Sequence, residues 1–237
     1  MLDNMKLRSP IQTHFMNRGH VAILTQLFGE NKNSLFYGSL GHSGIDFRTQ
    51  HANKWQRVGD WTEGKVGEVK RSDATKLERA GYIPCVASHD GQLTTNIFQY
   101  DRSRGWYVKV TTDEMEEDGK KVQYQTLYYH LEAYWRSLGT FKMGKNSLFN
   151  SETVRAGAVI GICGNTGKYT TGAHLHFELR KREKVNGKWT NYVPIDPMPH
   201  FYQEDIVMQR YDMTSSDWYY TGKKVLKNPL KSPKEVI

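Results

Sequence analysis

The sequence predicts a mainly β protein: an antiparallel β-sheet core with loop insertions and few short helices. Three observations point there. Short apolar runs recur with turn residues between them. Aromatic residues are abundant, with 14 Tyr and 6 Trp in 237 residues, and such side chains favour strands. Segments with helical periodicity and matching caps are scarce.

Residues 1–20 are polar and weakly patterned and read as an N-terminal arm. Strand-like runs follow at Val21 to Phe28, Gly44 to Phe47, Val66 to Lys70, Ile83 to Ala87 and Leu93 to Tyr100. The clearest hairpin joins Trp106 to Thr112 with Val122 to His130. Its acidic connection ends in Asp118-Gly119, a good turn signal. The acids Asp113, Glu114, Glu116, Glu117 and Asp118 are most simply a solvated loop tip without function. Helical signals are two: Asp73 as a cap for Ala74 to Ala80 before Gly81, and one or two turns in Leu131 to Leu138. Residues 153–180 are strand-rich, with Val159 to Ile162 a short buried run. Residues 201–237 form a C-terminal basic extension, and no internal repeat of fixed period occurs. Strands close in sequence are expected to pair antiparallel.

The formal net charge is +8 and the pI near 9.3, so the surface attracts polyanions of any kind. No helix-turn-helix, RNP or zinc-finger pattern accompanies that charge, which excludes nucleic acid as the expected partner. Cys85 and Cys163 each lie in an apolar strand-like run, and buried free thiols are expected rather than a disulfide. No stretch approaches transmembrane length, and the N-terminus has no apolar leader-like core.

Four of the nine histidines stand in suggestive company. In a strand, residues two apart share a face, so His174 and His176 would point one way while Leu175, Phe177 and Leu179 enter the core. Two adjacent imidazoles can hold one metal, or one can ligate while the other works on substrate. An isolated His-x-His is nevertheless more often a polar pair on a solvated face. His42 and Asp46, four apart between Gly41 and Gly44, could converge on one ion, although that spacing alone is weak. His130 ends a strand, where a lone histidine is usually just hydrogen-bonded.

Taken together, these residues match what a hydrolytic zinc site needs. Zinc commonly takes three protein ligands and leaves a fourth position to water. The inventory is His42, Asp46 and one of the paired histidines as ligands, with the other and His130 as helpers that move protons and hold an oxyanion.

The segments GHSGIDF (41–47), YYHLEAYW (128–135) and VRAGAVIGICGNTGKYTTGAHLHFELR (154–180), followed by Asp196-Pro197, resemble the lysostaphin/LytM-type peptidoglycan metallopeptidases. Leu24 to Asn31 resembles the family's entry strand, so the likeness covers residues 21–200. It implies a zinc metallopeptidase domain over that span, with an all-β, duplicated hybrid motif-like core and the site in a groove walled by loops. Carried over residue by residue, it makes His42, Asp46 and His176 the ligands of one zinc ion per chain. His130 and His174 become the catalytic non-ligand histidines. Tyr128, two before His130, falls on the same strand face and is a candidate for lining the groove, against a plain packing role.

The resemblance further implies an endopeptidase cutting stem peptides or cross-bridges of bacterial peptidoglycan, acting as a monomer at the cell wall, outside the cytoplasm. The lack of a leader-like segment points to a phage-encoded, virion-associated or otherwise released protein. Anionic wall polymers are a second candidate partner, through the basic run Arg180, Lys181, Arg182, Lys184 and Lys188, for which a solvated hairpin is the simpler reading. The segments from Arg48 to Gly81 and from Ser137 to Ser151 are longer than the family pattern and would flank the groove. The rivals are a non-catalytic wall-binding or regulatory module of the same fold, and a zinc hydrolase of another substrate such as a deacetylase. A phosphate loop at Gly164 to Lys168 is excluded, because Ile162 and Tyr169 stand where Gly and Ser or Thr are required. His14, His20, His51, His89 and His200 lack a constellation and are assigned surface or core roles.

Overall fold

The computed structural model describes residues 5–11, 20–35, 37–51, 84–95, 103–134, 150–168, 174–202, 207–211, 216–220 and 223–225. Fifteen strands lie among the described residues. They begin with β1 (His20–Gln26), β2 (Ile45–His51), β3 (Pro84–Val86), β4 (Gly91–Thr95) and β5 (Trp106–Thr111). Then come β6 (Met115–Glu117), β7 (Lys120–Tyr134), β8 (Asn150–Val154), β9 (Val159–Cys163) and β10 (His174–Val185). The last are β11 (Lys188–Trp189), β12 (Val193–Ile195), β13 (Val207–Tyr211), β14 (Ser216–Tyr220) and β15 (Lys223–Val225). One sheet runs β15-β14-β13-β1-β2-β10-β7-β5-β4-β8, and β9 leaves it to join β7 to β3. All named pairings are antiparallel except β1 with β13. The mainly antiparallel β architecture is the one the sequence predicts.

Period-two alternation along β10 positions the core. Leu175, Phe177 and Leu179 are fully buried on one face. Phe177 meets Phe47, Tyr128 and Phe201 at ring-centroid distances of 6.4, 5.2 and 5.7 Å. Aromatic contacts of this kind add to the burial term at the centre of the fold.

Several expectations need correction. Residues 5–11, read as part of an arm, pack into the core: Met5, Leu7 and Ile11 are buried. Leu7 bridges Phe201 in parallel and Ile11 bridges Cys85, so the backbone of this segment is tied at both ends. Leu131–Tyr134 is not helical but continues β7, paired with Cys163, Ile162 and Gly161 of β9. The acidic connection is no free loop tip. Met115–Glu117 forms β6 against β7, and the turn shrinks to Asp118-Gly119 with φ of 51° and 73°, as a type I′ hairpin requires.

Two of the acids, Glu114 and Glu117, pair with lysines of the basic run and of β7. Glu114 pairs with Lys121 and Lys184, and Glu117 with Lys181 and the Tyr124 hydroxyl. Arg182 hydrogen-bonds Gln123 and lies over the rings of Trp189 and Tyr192. Part of the C-terminal extension lengthens the sheet through β13, β14 and β15. Cys85 and Cys163 are both free and buried, and burial pushes the Cys85 thiol well up. The strand expected at Val66 to Lys70, the helix at Ala74 to Ala80 and most of both insertions lie outside the described residues.

Candidate metal centre

His42 enters the site from the loop between β1 and β2. The loop is pinned by backbone hydrogen bonds from Gly29 N–H to His42 O and from His42 N–H to Glu30 O, both 2.8 Å. Glycine is needed on either side of His42 for different reasons. Gly41 has φ of 73°, the left-handed region, and a Cβ there would strike the Gly29 carbonyl. At Gly44 a Cβ would strike the Phe177 carbonyl of β10, so only glycine lets the two chains approach.

Register then does the rest. Asp46 of β2 stands opposite His176 of β10, and His176 opposite Tyr129 of β7. His42 Nε2, Asp46 Oδ1 and His176 Nδ1 converge, with separations of 2.9 Å between the imidazole nitrogens, 2.8 Å from His176 to Asp46 and 3.2 Å from His42 to Asp46. A tetrahedral zinc with bonds of about 2.0–2.1 Å separates its donors by about 3.3 Å. Two nitrogens and one carboxylate oxygen at these distances fit that ion. The triad His42, Asp46 and His176 is also the group among the described residues whose donor atoms could hold a metal.

The outer nitrogens and the carboxylate are held for this geometry. His42 Nδ1 lies 3.2 Å from the Leu27 carbonyl, which accepts its proton and leaves Nε2 as the donor atom. His176 Nε2 lies 3.1 Å from Glu178 Oε1, which leaves Nδ1 facing Asp46 and His42. Burial opposes a charge on His176, but hydrogen bonds to Asp46 and Glu178 push its imidazole up to about 9. A proton and a metal ion are alternatives at that Nδ1. Burial likewise works against the Asp46 carboxylate, yet its hydrogen bonds with His176 and His42 hold it well below the usual range.

His174 and His130 lie beside the triad, their rings 4.7 Å apart, with His174 Nε2 4.0 Å from Asp46 Oδ2. His130 reaches this position through an irregularity in β7. Its φ is 59°, in the left-handed region, and the register with β5 shifts there. Regular alternation would have sent His130 to the core face with Tyr128. Instead its Nδ1–H donates to the Thr166 carbonyl at 2.8 Å, which fixes the tautomer and leaves Nε2 as an acceptor. Burial, followed by the neighbouring His174, lowers its pKa to about 4, so the ring is neutral near pH 7.

That bulge leaves Tyr128 in the packing role, the commoner of the two alternatives for a tyrosine so placed. Tyr128 is fully buried in the core, its hydroxyl accepting from Ser88 N–H at 2.8 Å. Tyr129, itself buried, takes the site-facing position and stacks on His176 at 5.1 Å and 12°. Sequence reasoning also passed over Glu178, which is 2% exposed. It accepts hydrogen bonds from Ser43 Oγ at 2.6 Å, Tyr129 hydroxyl at 3.3 Å and Arg180 Nε at 2.6 Å, besides His176. Burial raises its pKa, but His176 and Arg180 prevail and hold it near about 2. The signal was present: position 178 follows 174 and 176 on the same strand face.

Strands β2, β7 and β10 bring Asp46, His130, His174 and His176 together, and the loop before β2 adds His42, a set of donors that could hold a metal ion. The chain belongs to peptidase family M23, whose model matches residues 70–197, more than half of the sequence. His42 and Asp46 precede the matched span. The DD-carboxypeptidase/endopeptidase Mpg of Neisseria meningitidis serogroup B is 38% identical over 82 residues, 34% of this chain and 15% of Mpg. The chain thus spans only a small part of the length of this curated relative. Among solved structures, LytU is 28% identical with a TM-score of 0.40, over 75% of this chain and 83% of that one. A zinc containing peptidase from Vibrio cholerae is 17% identical with a TM-score of 0.44, over 81% and 39% of the two chains.

Proposed function

We propose that this chain is a zinc-dependent endopeptidase that hydrolyses peptide bonds of bacterial peptidoglycan, in stem peptide or cross-bridge, at the bacterial cell wall. The observation that carries this reading is the convergence of His42, Asp46 and His176 within 2.8–3.2 Å, with His174 and His130 beside them. Membership of the M23 family supports the peptidase class.

His42 Nε2, Asp46 Oδ1 and His176 Nδ1 would hold one zinc ion. When bound there, the ion supplies a Lewis acid and lowers the pKa of water to about 7. The residues around it supply the rest. His130, with Nδ1–H committed to Thr166, offers Nε2 to accept a proton from the attacking water. His174, on the other side of the same pair of rings, lies where a histidine can donate to the developing oxyanion or to the leaving amine. Leu27 and Glu178 keep the ligand imidazoles oriented throughout.

The test is digestion of purified cell walls, read by turbidity and by mass analysis of the fragments. New amino termini are expected. They should be lost on chelation, regained with zinc, and reduced by at least about 100-fold in Asp46→Asn and His174→Ala. Binding to walls without release of fragments would instead favour a non-catalytic wall module, and release of acetate a deacetylase.

A further inference from the structure

His130 owes its direction to one surplus residue in β7. Trp106 of β5 stands opposite Leu131 and Val108 opposite Tyr128, so two steps along β5 match three along β7. That is the two-against-one count of a β-bulge, which leaves the extra residue outside the regular ladder. His130 sits in that stretch with φ of 59°, a region that residues other than glycine seldom occupy. Such a conformation persists only where its surroundings over-determine it.

Thr166, in the loop after β9, supplies that constraint. Its hydroxyl accepts the Trp106 N–H at 3.0 Å and donates to the Leu131 carbonyl at 2.7 Å. A single hydroxyl can do both, having one donor and two lone pairs. Trp106 and Leu131 are the cross-strand partners at one end of the bulge, so this side chain bridges β5 and β7 next to His130. The Thr166 carbonyl takes the ring's Nδ1–H at 2.8 Å, and the His130 N–H goes to the Arg104 carbonyl at 2.9 Å. Two glycines let the loop come this close. A Cβ at Gly105, where φ is 67°, would strike the carbonyl and hydroxyl oxygens of Thr166. One at Gly167, where φ is 105°, would strike the Gly105 nitrogen and the Ser103 carbonyl oxygen. Tight backbone packing thus delivers the hydroxyl to the bulge.

We propose that Thr166 is a positioning residue for the reaction: by joining Trp106 to Leu131, its side chain holds the bulge that turns His130 from the core face to the metal centre. The effect on turnover rests on the endopeptidase reading, whereas the placement of the ring is a property of the fold. Thr166 acts through His130 and not on substrate. Removing the hydroxyl takes this partner from the Trp106 N–H and the Leu131 carbonyl in a part-buried position. The two strands can relieve that loss by slipping back towards regular pairing, which sends His130 to the side of Tyr128. Asp46 and His176 stand on β2 and β10, which pair with each other directly, so the metal ligands should be spared.

The test compares Thr166→Val, which keeps the shape and loses the hydroxyl, with Thr166→Ser, which keeps the hydroxyl, in the zinc-loaded full chain. On a cross-linked stem-peptide dimer isolated from peptidoglycan, Thr166→Val should lower kcat about 10- to 100-fold and leave KM within about twofold. Thr166→Ser should hold kcat within about threefold of wild type. Zinc affinity should be equal in all three. A second readout, independent of turnover, is the nitrogen NMR spectrum of the imidazoles, with the His130 signals assigned by their loss in His130→Gln. Wild type and Thr166→Ser should carry the ring proton on Nδ1 alone, and Thr166→Val should show a mixture of the two tautomers. A folded Thr166→Val with the kcat and the His130 spectrum of the wild type would overturn the proposal. So would a loss that Thr166→Ser shares, or one that weakened zinc binding accounts for. Should Thr166→Val not fold, Thr166→Ala, which lacks the same hydroxyl, is read in the same way. If the wild type cuts no dimer, the endopeptidase reading fails and the spectrum alone judges Thr166. A mixture in the variant then supports its role, and an unchanged pattern overturns it.

Discussion

Glu178 illustrates how one side chain can govern a site it does not enter. It is buried beneath His176 and takes the Nε2–H at 3.1 Å, so the Nδ1 lone pair is aimed at Asp46 and His42. Its other partners, Ser43, Tyr129 and Arg180, come from the loop before β2, from β7 and from β10, so it also locks three segments together. Glu178→Gln removes the charge but keeps the shape. Zinc affinity, measured by competition with a chromophoric chelator, is expected to fall roughly 10- to 100-fold, the usual cost of losing such a partner. Glu178→Asp, too short to reach, should not rescue it. His130 makes the complementary point. Its type could be read from the sequence, but its direction could not, because that depends on a left-handed backbone residue at φ of 59°.

At the scale of elements, β2 and β10 form the frame. The pairing Asp46 opposite His176 exists only if β2 lies flush on β10, and Gly44 permits that approach at the strand's entrance. Gly44→Ala is expected to push the Phe177 carbonyl away and displace His42 and Asp46 together. Zinc affinity should drop by at least about tenfold, with a stability loss of about 1–3 kcal/mol in urea unfolding. A change confined to stability, with zinc affinity intact, would contradict this account. Period-two patterning made β10 legible, since Leu175, Phe177 and Leu179 all enter the core as alternation requires. The Leu131–Tyr134 segment was not legible, because pairing with β9 supplies its backbone hydrogen bonds and overrides a weak local preference.

At the scale of the whole molecule, the fold also buries a histidine outside the site, which adds to the acid sensitivity that the equally lowered His130 brings. His89 is 6% exposed, within reach of the Asp90 carbonyl and of Thr126 Oγ1 at 2.9 Å. Burial lowers its pKa from an ordinary 6.5 to about 4. The unfolded chain therefore takes up a proton below about pH 6.5 that the folded chain refuses until about pH 4. Stability should fall as pH drops through that window, by up to about 3 kcal/mol from this residue. Urea unfolding at pH 7.5 and 4.5 tests it: His89→Gln should be less acid-sensitive than wild type, and an unchanged difference would rule His89 out as the cause. The N-terminal Met5, Leu7 and Ile11 belong to the same global unit, since their burial ties the chain's beginning to Phe201 and Cys85.

The sequence by itself determined the β class and the residues of the candidate site. Period-two alternation, turn chemistry and the motifs around His42, His130 and His174 are local patterns, written in neighbouring residues. Tertiary structure alone decided that Tyr129 rather than Tyr128 stacks on His176, that Glu178 orients His176, and that Glu114 and Glu117 of the acidic hairpin pair with Lys184 and Lys181 of the basic strand. It also decided that the N-terminal residues Met5, Leu7 and Ile11 complete the core. Each of these depends on cross-strand register or on one bulge, and such relations between distant segments exist only once the sheet has closed.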